Sequence, residues 1–139
     1  MKFNLKVYCE KTRLKEIRDF VSDKLQSYTT DEVEINQLVL AVDEVCANLI
    51  IHSNACNAQE SINLEVLVND DGVTFEITDN GVEFDFSKYQ EPTIEQVVRE
   101  KRKGGIGLML VNRIMDKVEF LSQKNSNKCI LYKTFSRNS

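Results

Sequence analysis

The 139 residues are 42% hydrophobic and 29% charged, with a formal net charge of −4, which suits one soluble globular domain and gives no broad electrostatic reason for direct nucleic-acid binding. A chain of this length buries roughly two-thirds of the surface its unfolded form exposes, so one core spanning residues 1–139 is expected. The opening "MKFNLKVYCEKTRLKE" has no apolar segment of signal-peptide length and no later run approaches a membrane span, so a cytoplasmic protein with no membrane partner is expected.

In chain order, Phe3, Leu5 and Val7 alternate within Lys2 to Tyr8, the period of a half-buried strand. From Lys11 to Tyr28, Leu14, Ile17, Phe20, Val21 and Leu25 recur at helical spacing. Thr30, followed by Asp31, Glu32 and Glu34, reads as a hydroxyl cap with acids in the first turn of a helix that runs to about Ser53. "SINLEVLV" and "VTFEITD" then alternate as strands joined by "NDDG", a strong hairpin signal. A long connection from Asn80 to Gln90 follows, then Pro92 and a short helical pattern over Thr93 to Arg102. "KRKGGIGLMLVNRIMD" passes from a glycine-containing loop into an apolar helix, and "KVEFLSQ", the turn "NSN" and "KCILYKTF" close the chain as a hairpin. Helices and antiparallel strands thus come in blocks. The pattern predicts an α+β two-layer sandwich, a mixed, mainly antiparallel sheet with helices on one face.

The four cysteines, Cys9, Cys46, Cys56 and Cys129, form no Cys-x-x-Cys pair, and the single histidine completes no zinc set. Free thiols are expected in preference to a Cys46–Cys56 disulfide.

The second of these helices is unusual. Leu38, Val42, Val45 and Leu49 define its core stripe, yet Glu44, Asn48 and His52 recur every four residues at the stripe's margin. Unpaired and buried, such groups would cost several kcal/mol each, roughly. Either the fold supplies partners, with Arg113 or a lysine available for Glu44, or the polar groups line a ligand cavity. Gly104, Gly105 and Gly107 at a helix mouth raise a parallel choice between tight packing and a cradle of backbone N–H groups for phosphate. No Gly-Lys-Ser/Thr follows them, and they do not follow a first strand, so neither a Walker loop nor a Rossmann fingerprint is present.

Taken together, "EVCANLIIH", "DNGVEFD" and "KGGIGLMLV" resemble the N box and the two glycine boxes of the GHKL ATPase superfamily. Their spacing is most similar to that of the anti-sigma-factor serine/threonine kinases, and the resemblance covers almost the whole chain. It implies a Bergerat-type ATP-binding fold that takes ATP or ADP with Mg2+. Glu44 matches the family's acid that orients or deprotonates the attacking hydroxyl, and Asn48 its magnesium ligand. Asp79 matches the aspartate that reads the adenine amino group, and Gly81 lets the backbone approach the base. Gly104, Gly105, Ile106, Gly107 and Leu108 fall on the turn that wraps the phosphates. His52 matches a position where histidine is frequent but chemically idle. Glu83 stands where the first box usually has its second glycine, and Lys103 and Gly104 stand where relatives often have Gly and Arg.

The resemblance implies a kinase acting on a serine or threonine of a STAS-type anti-sigma-factor antagonist, with a sigma factor as second partner and a homodimer as a known state of relatives. Two alternatives follow from the same boxes: a nucleotide-dependent partner switch without chemistry, and a histidine-kinase catalytic domain acting on another chain. A third, a protein without a nucleotide whose glycine loop is fortuitous, is the least economical.

Overall fold

The alternating residues at both ends of the chain and the Asp-Gly hairpin between them build one sheet, and the two apolar helical stripes lie on it. A computed structural model describes residues 1–29, 31–50, 60–79, 104–123 and 126–135, with backbone alone at 104–108, 122, 123 and 126. Its strands are β1 (Lys2–Tyr8), β2 (Ser61–Val68), β3 (Gly72–Asp79), β4 (Lys117–Gln123) and β5 (Ser126–Thr134). They form a five-stranded sheet in the order β1-β2-β3-β5-β4, and every described pairing is antiparallel. The helices are α1 (Leu14–Leu25), α2 (Glu32–Asn48) and α3 (Gly104–Ile114), with α2 in contact with both α1 and α3.

The α+β sandwich expected from the blocks of helix and strand is therefore present. Ile62, Leu64 and Val66 of β2, Phe75 and Ile77 of β3 and Leu131 of β5 are buried under the helices, as are Ile17, Val21 and Leu25 of α1. The α2 stripe of Leu38, Val42, Val45 and Leu49 is buried throughout. Each such side chain contributes about 1.5–3 kcal/mol by leaving water. Alternate residues of the same strands carry charge on the opposite face, where Lys128 meets Glu76 at 2.6 Å and Lys117 meets Glu119 at 2.9 Å.

Three boundaries differ from expectation. The first helix begins as a 3-10 turn at Lys11–Arg13 and becomes α-helical only from Leu14. The cap of α2 is Asp31 rather than Thr30: its Oδ1 accepts from the N–H groups of Val33 at 3.0 Å and Glu34 at 3.3 Å. A carboxylate satisfies those orphan donors and also faces the positive end of the helix dipole, so it outcompetes a neighbouring hydroxyl. Strand β5 starts at Ser126, two residues before "KCILYKTF", so Asn127 belongs to the ladder and not to the turn. The expected end of α2 near Ser53, the connection Asn80 to Gln90 and the pattern Thr93 to Arg102 lie outside the described residues; at Leu49 and Ile50 the helix continues with π-type bonding.

The β2–β3 hairpin shows why its turn residues are what they are. Asn69 Oδ1 accepts from the N–H groups of Asp71 at 2.8 Å and Gly72 at 3.1 Å. Gly72 also lies where β3 meets the end of β5, and a Cβ there would sit 2.6 Å from the carbonyl oxygen of Lys133. A backbone atom cannot retreat as a flexible side chain can. Gly72→Ala is expected to lower stability by about 1–3 kcal/mol through this overpacking, measured as a fall in the urea midpoint with unchanged slope; an unchanged midpoint would show that the ladder gives way freely.

Candidate active site

On α2 the core stripe fixes the rotation of the helix, and the rotation decides how much water each polar residue keeps. Glu44, at the margin, is half-buried, whereas Asn48, one turn on and about 6 Å further along the axis, is only 7% exposed. The drift of the polar row toward the core is thus real as far as Asn48; His52 lies outside the described residues.

The Asn48 Nδ2 donates to the backbone carbonyl of Glu44 at 2.8 Å. A carbonyl oxygen accepts only from the NH2 end of the amide, so this bond fixes which way the side chain is flipped. The amide's donor end is occupied by its own helix and its Oδ1 is turned away from that carbonyl. Magnesium takes oxygen donors, usually one or two from protein with the rest from phosphate and water. Asn48 fits that use. Among the described residues no group of three or more His, Cys, Asp or Glu is arranged to hold a metal.

Glu44 is held differently. Neither a hydrogen bond nor an ion pair joins its carboxylate to another described residue, Arg113 included. Partial burial pushes its carboxyl above the ordinary glutamate value, and the adjacent Asp43 charge pushes the same way. Asp43 itself faces α1, where it accepts from Arg18 Nη1 at 3.1 Å. A carboxylate with a raised affinity for protons, one turn from an amide oxygen, is suited to take or orient a hydroxyl proton.

The second half of the site lies at the end of the sheet. Asp79, the last residue of β3, is 3% exposed and points to the helix-covered side with Ile62 and Asn127 as its register partners. Asn127 is wholly buried, and its Nδ2 donates to Asp79 Oδ1 at 2.9 Å. The periodicity of "NSN" and "KCILYKTF" places Asn127 in the turn, with no role. Its only sequence signal is a polar residue at a position that becomes core-facing once β5 is extended by two residues.

Three thiols are buried in the core. Cys46, two residues before Asn48, is fully buried; burial pushes its thiol well up, and Asp43, Cys129 and Cys9 add to the shift. Cys9, Cys46 and Cys129 are all free thiols, as expected, and Cys56 lies outside the described residues.

Helix α3 starts at Gly104, so Gly104, Gly105, Ile106, Gly107 and Leu108 occupy its first turns, where backbone N–H groups lack intrahelical partners. Gly81, Glu83 and Lys101 to Lys103 lie outside the described residues.

Residues 8–133 match the histidine kinase-like ATPase domain family. The serine-protein kinase RsbW of Halalkalibacterium halodurans is 31% identical over 96 residues, which cover 66% of this chain and 57% of that protein. The anti-sigma F factor of Clostridium perfringens (strain SM101) is 25% identical over 100 residues, covering 72% of this chain and 71% of that protein. The chain therefore matches less than two-thirds of the length of the first of these relatives. A crystal structure of RsbU and RsbW domains from Mycobacterium tuberculosis superposes on 100% of this chain and 34% of that chain, with a TM-score of 0.73 at 15% identity. At that identity the likeness speaks for the fold.

The raised proton affinity of Glu44 has a stability consequence. A carboxyl that holds its proton more tightly in the folded than in the unfolded chain contributes stability below the unfolded value, and that contribution is lost as pH rises through the folded value. At neutral pH the ionised Glu44 thus opposes folding. Glu44→Gln is expected to unfold at an equal or higher temperature at pH 7, and Asp43→Asn to lower the midpoint of Glu44 followed by carboxyl NMR. A clear fall in unfolding temperature for Glu44→Gln would reveal a structural bond to that carboxylate.

Proposed function

Because the chain belongs to the histidine kinase-like ATPase domain family, we propose that it is an ATP-dependent protein serine/threonine kinase that phosphorylates a STAS-type anti-sigma-factor antagonist and sequesters a sigma factor. The observation that carries this reading is the juxtaposition on α2 of a half-buried Glu44, bonded to no other described residue, with Asn48, whose amide is already oriented by its own helix. The relatives named as serine-protein kinase RsbW and anti-sigma F factor support it.

In this reading residues 1–139 act as a single domain. Asp79 accepts from the adenine amino group, with Gly81 admitting the base, and the first turns of α3 at Gly104, Gly105, Ile106, Gly107 and Leu108 receive the phosphates. Asn48 Oδ1 holds Mg2+, which supplies charge neutralisation to the phosphates when bound. Glu44 accepts the proton of the incoming serine or threonine hydroxyl, or orients that hydroxyl in line with the γ-phosphoryl group. The oxygen–phosphorus bond to the acceptor forms as the bond to ADP breaks, and the proton ends on Glu44 or in water. Most of the barrier reduction then comes from placement and electrostatics.

A phosphorylated antagonist releases its hold, and the kinase is free to bind sigma. No helix among the described residues is long and apolar enough to cross a membrane. Cytoplasmic residence and a homodimeric state belong to the same proposal.

Transfer of radiolabelled phosphate from ATP to a cognate antagonist tests it. Glu44→Ala is expected to slow transfer by about 10²–10⁴-fold while ATP affinity stays within a small factor. Asn48→Ala is expected to remove the magnesium dependence of nucleotide binding. Saturable ATP binding without transfer to any cognate antagonist would replace the kinase with a nucleotide-gated partner switch, and an absence of saturable binding would reject both.

A further inference from the structure

The buried pair at the end of the β3–β5 ladder has a role that none of the sequence motifs assigns. We propose that Asn127 is a positioning residue that locks the Asp79 carboxylate for the base, and so sets the preference for adenine over guanine nucleotides. The proposal rests on the adenine-reading role given to Asp79 above.

Three observations carry it. Asp79 and Asn127 are direct register partners, so the backbone ladder already places their side chains on the same face. Both are buried, at 3% and 0% exposure, and the contact is a well-formed 2.9 Å hydrogen bond in which the amide donates and Asp79 Oδ1 accepts. The register partner on the other flank of Asp79 is Ile62, whose hydrocarbon side chain is buried and carries no polar atom.

A carboxylate at the end of a strand can rotate about its side-chain bonds. Binding a base then requires one rotamer to be chosen, and a free carboxylate would lose affinity for that ordering. Donation from Asn127 makes the choice in advance, because rotation would break a buried hydrogen bond to a charged group. It also presents Asp79 as an acceptor. Adenine offers an amino donor at the position where guanine offers a carbonyl acceptor, so a fixed acceptor attracts the first and repels the second. A carboxylate released to turn away would discriminate less.

The test compares Kd values for ATP and GTP, measured by calorimetry on the intact chain, for the wild type, Asn127→Ala, Asn127→Asp and Asp79→Asn. Asn127→Ala is expected to weaken ATP about tenfold or more, the worth of a hydrogen bond to a charged group, with little change for GTP. The ratio of the two constants is read on one preparation, so a partly unfolded sample does not alter it. Asn127→Asp keeps the shape but sets two carboxylates together that cannot both ionise readily. Its ATP affinity is expected to be poor at pH 8 and to recover toward pH 6 as one shared proton restores the bond, a rescue that a packing role would not produce. An ATP-to-GTP ratio at the wild-type value in both Asn127 variants, without the recovery at low pH, overturns the inference. If Asp79→Asn also leaves ATP binding intact, the fault lies with the adenine role of Asp79; if that variant alone loses ATP, Asp79 keeps its role and only the part given to Asn127 falls.

Discussion

The rotation of α2 on the sheet is the constraint from which the site follows. Leu38, Val42, Val45 and Leu49 must all face inward, and all four are buried. With 100° between successive residues, that requirement leaves no freedom to place Glu44 and Asn48 independently. Glu44 falls at the margin of the stripe with part of its surface in water, and Asn48 falls just inside it. A turn of the helix by one residue would bury the carboxylate outright or push the amide into solvent. The apolar stripe therefore does more than stabilise: it meters the dielectric around the two groups proposed to handle the hydroxyl and the cation.

A second constraint runs along the β3–β5 ladder, which is pinned at both ends. At one end Gly72 lets the backbone of β3 approach the Lys133 carbonyl, where any Cβ would collide. At the other end Asp79 and Asn127 pair in the core. A slip of one residue would turn Asn127 to the charged face and bring a neighbour inward, because strand side chains alternate. Register, turn chemistry and the buried Asp79 carboxylate are in this way parts of one arrangement. The β4–β5 hairpin delivers Asn127, and the β2–β3 hairpin sets where β3 ends.

The features legible in the sequence are those carried by local periodicity. The α2 stripe, the "NDDG" turn and the glycines at the head of α3 depend on spacing within one element, and each lies where its spacing puts it. The features that escaped are those made by residues far apart. Arg18 meets Asp43 across 25 positions, and Asn127 meets Asp79 across 48. Nothing in "NSN" separates a turn asparagine from a buried one, since asparagine favours turns on its own account. Only the pairing partner on β3 makes it a core residue. The misplaced cap has a more local cause: Thr30 and Asp31 are both good caps, and the choice between them rests on which backbone N–H groups each can reach.

The polar groups near the core differ in how they are satisfied, and that difference separates support from chemistry. Asn48 bonds to its own helix, Asp79 receives an amide across the sheet, and Asp43 is met by Arg18. Glu44 is the exception among the described residues: its neighbour Asp43 repels it, its surroundings desolvate it, and no hydrogen bond answers. A fold that satisfies three polar side chains and leaves a fourth half-buried at the margin of the core stripe tolerates a stability cost at that one position. Such a cost is sensible where the missing partner arrives with the substrate. In the proposed transfer an incoming hydroxyl would be a donor, and Glu44, bonded to no other described residue, would be its acceptor.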